Sequence, residues 1–243
     1  MNHTRLIIQG NLETHQPFQF NNVMLCANAE IYNASKLLSN KEADAYSDCF
    51  SILKLLQTRR DQKQKKLMPV DVSSELRKLD GIYAFVYFDK VHKQIICARS
   101  LCGICPLYYG YSQSAQKLVF SSTRKAFPNI RMKIFPPEHL CCISLDKVNT
   151  DKLKFYRFDW SLTKVVPKSK LLCRIWFIHL LEEAVKKRLE AVDHGEVAFL
   201  LSGGLDSSAI VALARNLFPH RTIRTFSIGL SETSPDILAA RLV

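Results

Sequence analysis

One loop of the sequence combines the residue types that hold phosphate, Leu201-Ser-Gly-Gly-Leu-Asp-Ser-Ser208. Its two adjacent glycines can adopt backbone angles closed to other residues, and they let main-chain N–H groups approach a ligand closely. The serines of the loop add hydroxyl donors. This combination predicts an anion-binding nest suited to phosphate or pyrophosphate.

The elements on either side of the loop are those expected to position it. Val197–Leu201 is a continuous apolar run, typical of a buried parallel strand. The pattern then predicts a helix over Ser207–Leu217 and a second strand over Ile223–Ile228, which together make a βαβ unit. The helix would direct its positive end and its unpaired N–H groups toward the loop.

The loop differs from two other common phosphate-binding motifs. It lacks the Gly-Lys-Ser/Thr ending of a Walker A loop and the Gly-x-Gly-x-x-Gly spacing of dinucleotide folds. Asp206 is a poor neighbour for a bare phosphate, because both groups are negative, unless Mg²⁺ lies between them. We therefore predict a phosphate ligand bound with Mg²⁺, with Asp206 as the metal ligand.

The rest of the chain predicts a strand-rich first part and a helical transition. Two strand pairs are expected, Gly81–Asp89 with Lys93–Arg99 and Leu107–Tyr111 with Lys117–Ser122. Two helices are expected as well, at Ser47–Leu56 and Ser73–Leu79. This pattern favours sheets packed on each other with flanking helices. A linker is expected at about 161–170, and Ser169 is expected to cap a long amphipathic helix with Ile178, Leu181, Val185 and Leu189 on one face.

Composition and charge restrict the class of protein. The chain has 243 residues, of which 47% are hydrophobic and 23% charged, as in an ordinary globular protein. The formal net charge of +12 suggests nucleic-acid binding, but the densest basic run, Thr58–Lys66, has no interleaved aromatic residue. We interpret this run as a solvated helix end or a surface loop, predict no specific nucleic-acid partner, and leave non-specific adhesion to polyanions open.

The same composition bears on location. No apolar run approaches the roughly 18 residues that span a bilayer, and the N-terminus has no secretory pattern. The eight cysteines are scattered rather than spaced as a disulfide framework. We predict a cytoplasmic protein with reduced thiols and no membrane partner.

The loop and a series of shorter segments, in the same order, resemble the glutamine-hydrolysing asparagine synthetases. The loop is similar to that of the ATP-pyrophosphatases in the form found in this family. The other matching segments are Arg5–Ile8, Gln16-Pro17, Asn28–Asn33, Ser47–Cys49, Asp80–Phe85, Pro106–Gly110, Phe135–Pro137, Tyr156-Arg157, Phe226–Leu230, Ser234–Asp236 and Ala239–Arg241. The resemblance covers nearly the whole chain.

The resemblance implies an α+β fold in two parts. Residues 1–160 would form an incomplete N-terminal-nucleophile-hydrolase-type layered α/β sandwich, a type 2 glutamine amidotransferase domain. Residues 171–243 would begin an α/β ATP-pyrophosphatase domain of the adenine nucleotide alpha hydrolase-like type. The implied activity is an ATP-dependent amide ligase that converts aspartate to asparagine through an aspartyl-adenylate, with ammonia from glutamine. ATP and Mg²⁺ are the implied cofactors, and a homodimer or a complementing chain stays open.

The resemblance also assigns residues to two sites. The glutamine site would consist of Arg5, Leu6, Ile7, Ile8, Gln9, Asn28, Ala29, Glu30 and Asp48. Arg5 would pair with the substrate carboxylate, while Glu30 and Asp48 would hold its α-ammonium group. Asn28 would supply a donor to the oxyanion hole. The ATP site would consist of Leu200, Leu201, Ser202, Gly203, Gly204, Leu205, Asp206, Ser207, Ser208 and Ile228.

Several positions depart from the family pattern. Ala29 replaces a glycine whose N–H is the second oxyanion donor, Ser100 replaces the aspartate of an Arg-Asp pair, and Cys105 replaces an arginine. The family's nucleophile is an N-terminal cysteine whose free α-amine can act as the base. The sequence begins Met1-Asn-His-Thr, so we expect a chain truncated at both ends, without a catalytic residue and inactive by itself.

Two cysteine motifs and two alternative functions were also considered. Cys102-Gly103-Ile104 repeats the letters of the family's N-terminal motif, but its nitrogen is a non-basic peptide amide, so we interpret the match as coincidence. Cys102 and Cys105 lack the second cysteine pair that a zinc site needs, and we interpret them as buried or incidental thiols. A non-catalytic homologue or interaction subunit, or another ATP-pyrophosphatase such as a β-lactam synthetase, remains an alternative.

Overall fold

A computed structural model describes residues 14–147, 153–158, 169–192 and 196–243 of the chain. The chain separates into two compact units, 1–162 and 163–243. Most of the predicted linker at 161–170 lies outside the described residues, and the second unit's first helix begins at Lys170.

The first unit contains two antiparallel sheets. The strands are β1 (Phe18–Phe20), β2 (Val23–Ile31), β3 (Gly81–Asp89), β4 (Gln94–Arg99), β5 (Tyr108–Ser112), β6 (Lys117–Ser121), β7 (Lys133–Ile134), β8 (His139–Ser144) and β9 (Tyr156–Arg157). The larger sheet has the order β1-β2-β3-β4-β8-β9, and the smaller has the order β6-β5-β7. Both predicted strand pairs are confirmed, β3 with β4 and β5 with β6.

Strand β3 lies between two hydrophobic cores because its side chains alternate between the faces of the sheet. Tyr83, Phe85 and Tyr87 are buried in the larger core, together with side chains of the helices. Ala84 and Val86 point to the other face, where a second core includes residues of the smaller sheet. The apolar run of β3 therefore reflects burial on both faces.

Four helices accompany the larger sheet. They are α1 (Ala34–Leu37), α2 (Asn40–Ala45), α3 (Phe50–Lys63) and α4 (Pro69–Leu76). The structure shifts both predicted helices: α3 begins later than Ser47 and extends into the basic run as far as Lys63, and α4 begins at Pro69 rather than Ser73. A proline is favoured in the first turn of a helix, where its missing N–H costs nothing. The N–H of Met68 donates to Asp71 Oδ2 at 3.1 Å, which stabilises this earlier start.

The basic run Thr58–Lys66 includes the end of α3, as its interpretation as a helix end predicts, but most of its cations form ion pairs with carboxylates of the fold rather than facing solvent alone. Arg60 Nε lies 2.7 Å from Asp89 Oδ2, and Lys66 Nζ lies 2.6 Å from Asp146 Oδ2. The further ion pairs of the run to other segments are Arg59–Asp71, Arg59–Glu75 and Lys63–Asp71. Most of these cations therefore join α3 to distant parts of the first unit.

The ion pair between Asp89, at the end of β3, and Arg60 of α3 can be tested for its contribution to stability. The Asp89 side chain is 2% exposed and accepts from Arg60 Nε, His92 Nδ1 and the N–H groups of Val91 and His92. Burial by itself raises the pKa of Asp89, but the hydrogen bonds from His92 and Arg60 outweigh it and hold the pKa below its ordinary value. A depressed carboxyl pKa stabilises the fold above the unfolded-state pKa of about 3.9, and that contribution is lost as pH falls through the folded-state pKa.

We expect Asp89→Asn to destabilise the first unit by about 3 kcal/mol, because it removes the buried carboxylate partner of a mostly buried guanidinium and leaves only the exposed Asp61. Urea unfolding measured between pH 3 and pH 7 checks this, since the deficit of the variant should shrink toward the acidic end. Asp61→Asn is the matched control, because Asp61 contacts the same guanidinium from an exposed position. An equal loss in both variants would contradict the assignment.

The second unit contains the predicted βαβ arrangement. Its elements are α5 (Lys170–Glu190), β10 (Ala198–Leu200), α6 (Leu205–Leu217), β11 (Arg224–Phe226) and α7 (Pro235–Leu242). Strands β10 and β11 are parallel, with Ala198 opposite Arg224. On the predicted face of α5, Val185 and Leu189 are buried, whereas Ile178 is exposed.

The expectation of a buried strand before the loop is wrong. Leu200 is 84% exposed and Phe226 is 59% exposed, while Leu201 at the end of β10 is buried. The cause is that the described helices cover only part of the two-stranded sheet, through a small core around Val185, Leu189 and Ala214. Among the helices of the described ranges, none is long and apolar enough to cross a membrane.

Candidate functional site

The glycine loop lies between β10 and α6, as the sequence predicts. Gly204 is the N-cap residue of α6 and has an extended backbone, with φ −70° and ψ 162°. The first N–H groups of a helix have no partner inside it, so those of α6 are directed toward the loop. The macrodipole adds partial positive charge at the same end. This arrangement is suited to an anion.

Gly203 has a conformation that the loop requires. Its φ is +77°, in the left-handed region that favours glycine. A Cβ at this position would lie 2.4 Å from the backbone carbon of Ala239 in α7. Helix α7 therefore packs directly on the loop backbone, and only a residue without a side chain fits between them.

Hydrogen bonds between loop hydroxyls fix the shape of the turn. Ser202 Oγ and Ser207 Oγ are 3.1 Å apart, and Ser207 Oγ donates to the Gly204 carbonyl at 3.2 Å. The loop is also tied to the neighbouring strand, because Leu201 N–H donates to the Phe226 carbonyl at 2.8 Å and Ser227 Oγ donates to the Leu201 carbonyl at 2.6 Å. Ser227 was not among the predicted site residues, although it lies within the matched segment Phe226–Leu230.

The remaining predicted ATP-site residues divide into exposed and enclosed groups. Leu200, Leu205 and Ile228 are 84%, 85% and 91% exposed. The hydroxyl of Ser208 is buried and has no hydrogen-bond partner within the described ranges, so it does not line the open side of the loop. The structure thus brings Ser202, Gly204 and Ser207 together and turns Ser208 away.

Asp206 lies exposed in the first turn of α6. Within the described ranges no three His, Cys, Asp or Glu side chains form a group that could hold a metal ion. Mg²⁺ commonly binds through one or two carboxylates together with phosphate oxygens and water. A single carboxylate beside a phosphate nest fits a Mg²⁺ ion that arrives with a nucleotide, and does not fit a metal held by protein ligands alone.

The predicted glutamine residues lie in the first unit. Arg5, Leu6, Ile7, Ile8 and Gln9 lie outside the described residues. Asn28, Ala29 and Glu30 follow one another in β2, where Asn28 is exposed and Glu30 is half-buried. Asp48 lies just before α3, and its Oδ2 accepts from Ile31 N–H at 2.7 Å. Asp48 therefore joins the end of β2 to the start of α3.

The backbone N–H of Ala29, the predicted oxyanion donor, points away from β3. Ala27 N–H donates to Gln16 Oε1 and Ile31 N–H donates to Asp48 Oδ2, each at 2.7 Å and each away from β3. Backbone direction repeats every second residue of a strand, so the N–H of Ala29 points to the same edge, between these two groups. Strand β1 pairs only with Val23–Leu25, so it ends before this position.

The thiol of Cys105, a residue predicted for neither site, lies close to Glu30. Burial raises the pKa of the Cys105 thiol to about 11, with the nearby Glu30 carboxylate adding to the shift and Arg99 opposing it. Arg99 is 6% exposed, and its guanidinium donates to the carbonyls of Cys105, Phe135 and Gly103. No local sequence signal marks this group, because the burial of Arg99 and the φ of +58° at Gly103 are visible only in the fold.

One cleft in the first unit lies elsewhere. It has a volume of about 360 Å³. It is lined by Thr14, His15, Pro17, Phe18, Gln19, Ala45, Tyr46 and Phe50. Because it includes none of the predicted glutamine residues, we assign it no role.

Two family models match this chain. Residues 3–129 match the glutamine amidotransferase domain, and residues 177–243 match asparagine synthase. The first match covers more than half of the chain.

Two curated relatives match over nearly the whole chain. The chain is 34% identical to a probable glutamine-hydrolysing asparagine synthetase of Acanthamoeba polyphaga mimivirus, over 99% of this chain and 45% of the relative. It is 31% identical to the probable enzyme of Schizosaccharomyces pombe, over 99% and 44% of the two chains. A solved glutamine phosphoribosylpyrophosphate amidotransferase from B. subtilis covers 89% of this chain at 17% identity, with a TM-score of 0.46 and 49% of its own length.

The chain spans about 45% of the length of the curated relatives it matches. Its two matched segments follow in the order of a glutamine amidotransferase part and an asparagine synthase part. On these matches, the chain belongs to the family of glutamine-hydrolysing asparagine synthetases.

Proposed function

We propose that this chain takes part in glutamine-dependent asparagine synthesis, with glutamine bound in the first unit and ATP in the second. The observation that carries the proposal is the glycine loop. Gly203 has a left-handed backbone, α6 begins at Gly204, and α7 packs on the loop from the other side. A phosphate nest of this kind suits a reaction that activates a carboxylate with ATP.

In the second unit, we infer that the loop N–H groups and the hydroxyls of Ser202 and Ser207 hold the phosphates of ATP. Leu200, Leu205 and Ile228 offer exposed apolar surface around the loop, which suits the adenosine part. Bound Mg²⁺ would shield phosphate charge, with Asp206 as its one protein ligand. The aspartate substrate would then be activated as its adenylate, when its carboxylate displaces pyrophosphate from the α-phosphate of ATP.

In the first unit, we infer that the edge of β2 forms the wall of the glutamine site. The N–H of Ala29 would serve as an oxyanion donor, and the exposed Asn28 would be the second. Glu30 and Asp48 would hold the α-ammonium group, and Arg5 would pair with the substrate carboxylate. Domain limits of 1–160 and 171–243 form part of the proposal.

The nucleotide site is the part that a binding experiment tests most directly. We expect the chain to bind ATP in the presence of Mg²⁺ and to bind it at least about tenfold more weakly after Asp206→Ala, a loss of about 1.4 kcal/mol. With EDTA in place of Mg²⁺, the wild type should bind weakly, and the variant should bind no more weakly than the wild type, because it lacks the repulsion between Asp206 and the phosphates. Isothermal titration calorimetry measures both.

Glu183→Ala is the matched control, because it removes an exposed carboxylate from α5 in the same unit. It should leave ATP affinity unchanged. Equal wild-type affinity with and without Mg²⁺ would contradict the metal role of Asp206, and undetectable binding of the wild type would contradict the nucleotide site.

A further inference from the structure

One edge of β2 is left without a neighbouring strand at Ala29. Tyr32 N–H donates to the Asp80 carbonyl at 2.8 Å, in register with the β2–β3 ladder, so the even-numbered residues of β2 bond to β3. The odd-numbered residues direct their N–H and C=O groups to the opposite edge. Strand β1 pairs with that edge only as far as Leu25. In the described part of the chain, therefore, no strand fixes the outward-facing backbone groups of Ala29.

Side chains hold this edge in place of a strand. The N–H groups of Ala27 and Ile31, on either side of Ala29, donate to side-chain oxygens. Between them, the thiol of Cys49 donates to the Ala29 carbonyl, with Sγ and O 3.4 Å apart. Among the described residues, Cys49 is the one whose side chain hydrogen-bonds the backbone of Ala29. This contact fixes the residue whose N–H is the proposed oxyanion donor.

The turn before α3 holds the Cys49 thiol at this position. Cys49 is 5% exposed, and its side chain makes no capping hydrogen bond to α3. The turn itself is fixed, because Phe50 N–H donates to the Ser47 carbonyl at 2.9 Å and Ser51 Oγ donates to the Asp48 carbonyl at 2.6 Å. The thiol is thus directed at β2 from a well-ordered turn.

The neighbouring Glu30 is held by other groups. The peptide that follows it is fixed by Asp48, whose Oδ2 accepts from Ile31 N–H. The hydroxyl of Tyr32 donates to Glu30 Oε2 at 3.3 Å. Loss of the Cys49 contact should therefore release Ala29 and leave Glu30 in place. This separates the part of the proposed glutamine site that binds the side-chain carbonyl from the part that binds the α-ammonium group.

We propose that Cys49 is a positioning residue of the glutamine site. Its thiol holds the Ala29 backbone, so that the Ala29 N–H stays directed at the side-chain carbonyl of glutamine. A donor that is held in place before the substrate binds costs no reorganisation during the reaction. Cys49 acts only through Ala29. This inference rests on the proposed function, in which the Ala29 N–H is the oxyanion donor.

Nuclear magnetic resonance without a ligand tests the contact itself. Ala29-Glu30 is the one Ala-Glu pair in the sequence, so cell-free synthesis with carbonyl-¹³C alanine and ¹⁵N glutamate gives a single signal from this peptide. Cys49→Ala should shift the Ala29 carbonyl carbon, because the carbonyl loses its donor. Cys49→Ser keeps a donor and should return the signal toward the wild-type position. An unchanged signal in Cys49→Ala would overturn the proposal.

Calorimetry with glutamine and L-norvaline tests the role in the site. L-Norvaline carries the same α-carboxylate and α-ammonium groups but has no side-chain carbonyl. We expect Cys49→Ala to bind glutamine about fivefold more weakly, the equivalent of one ordinary hydrogen bond, and to bind L-norvaline as the wild type does. Cys49→Ser should bind both ligands as the wild type does. Cys97→Ala is the matched control, because it removes a buried thiol from the second core and should change neither affinity.

The outcomes separate this inference from the proposed function. If Cys49→Ala loses affinity equally for both ligands, the thiol only stabilises the fold and the proposal is wrong. If the wild type and Cys49→Ala bind glutamine equally well, the glutamine site stands and this inference fails alone. A wild type that does not bind glutamine would overturn the glutamine site and this inference with it. Circular dichroism checks that each variant folds, and Cys49→Val, which fills the space of the thiol without a donor, takes the place of Cys49→Ala if the smaller side chain prevents folding.

Discussion

Replacement of Gly203 with alanine should destabilise the second unit by about 3 kcal/mol, the sum of backbone strain and overpacking. The φ of +77° is costly for any residue with a side chain. In addition, the new Cβ would lie 2.4 Å from the Cβ of Ala239, as well as from the backbone of α7. Neither obstacle is the mobile end of a side chain, so α7 itself must move. Because typical domains have a stability of about 5–15 kcal/mol, the effect is a large fraction of the whole.

Gly204→Ala is the matched control for this prediction. Gly204 has a φ of −70°, and the nearest atom to a Cβ placed there is Ser202 Oγ at 3.4 Å, an ordinary contact. Its effect on unfolding should stay within about 1 kcal/mol. Hydrogen exchange followed by mass spectrometry on the peptides of α6 and α7 measures both variants. Similar protection of α7 in the two variants would refute the close packing of Gly203.

The sequence was most informative where a local rule decides the structure. The apolar run Gly81–Asp89 and the short turn after it predicted the β3–β4 hairpin, because such pairing depends on neighbours in the chain. The order strand, glycine loop, helix, strand predicted the parallel pair β10 and β11 in the same way. The backbone of the candidate nucleotide site could therefore be predicted almost completely.

Features that depend on distant residues could not be predicted. The sequence predicted that the basic run Thr58–Lys66 is solvated. Its cations instead pair with Asp71, Asp89 and Asp146, which lie outside α3. Similarly, the residues next to Gly203 in the sequence do not predict that α7 packs against it. The exposure of Leu200 shows the same limit, because an apolar run predicts burial only if other elements cover it.

Arg99 is the second position at which a small change should have a large effect. Its side chain is 6% exposed and donates to the Cys105 carbonyl at 2.8 Å, the Phe135 carbonyl at 2.9 Å and the Gly103 carbonyl. These three acceptors come from the loop before β5 and from the residue after β7. The guanidinium thus fixes the Cys102–Cys105 loop against the smaller sheet.

Arg99→Lys keeps the charge but cannot serve three separated carbonyls, because one ammonium group replaces a planar fork. Buried carbonyls left without donors cost roughly 1–3 kcal/mol each, so we expect a loss of about 3 kcal/mol for the variant. For a unit of this size that corresponds to a fall in melting temperature of roughly 6–12 °C. Arg77→Lys, at an exposed position, should leave the melting temperature unchanged.

The thiol of Cys105 offers a readout specific to the loop. Burial, with the nearby Glu30 carboxylate, raises its pKa to about 11, so little thiolate exists at pH 8. If Arg99→Lys releases the loop, the pKa should return toward its ordinary value of about 8.5, and alkylation at pH 8 should accelerate on the order of a hundredfold. Cys102 is already exposed in the wild type and serves as the control within the same peptide. If Cys105 stays as unreactive in Arg99→Lys as in the wild type while Cys102 reacts at its usual rate, Arg99 does not hold this loop.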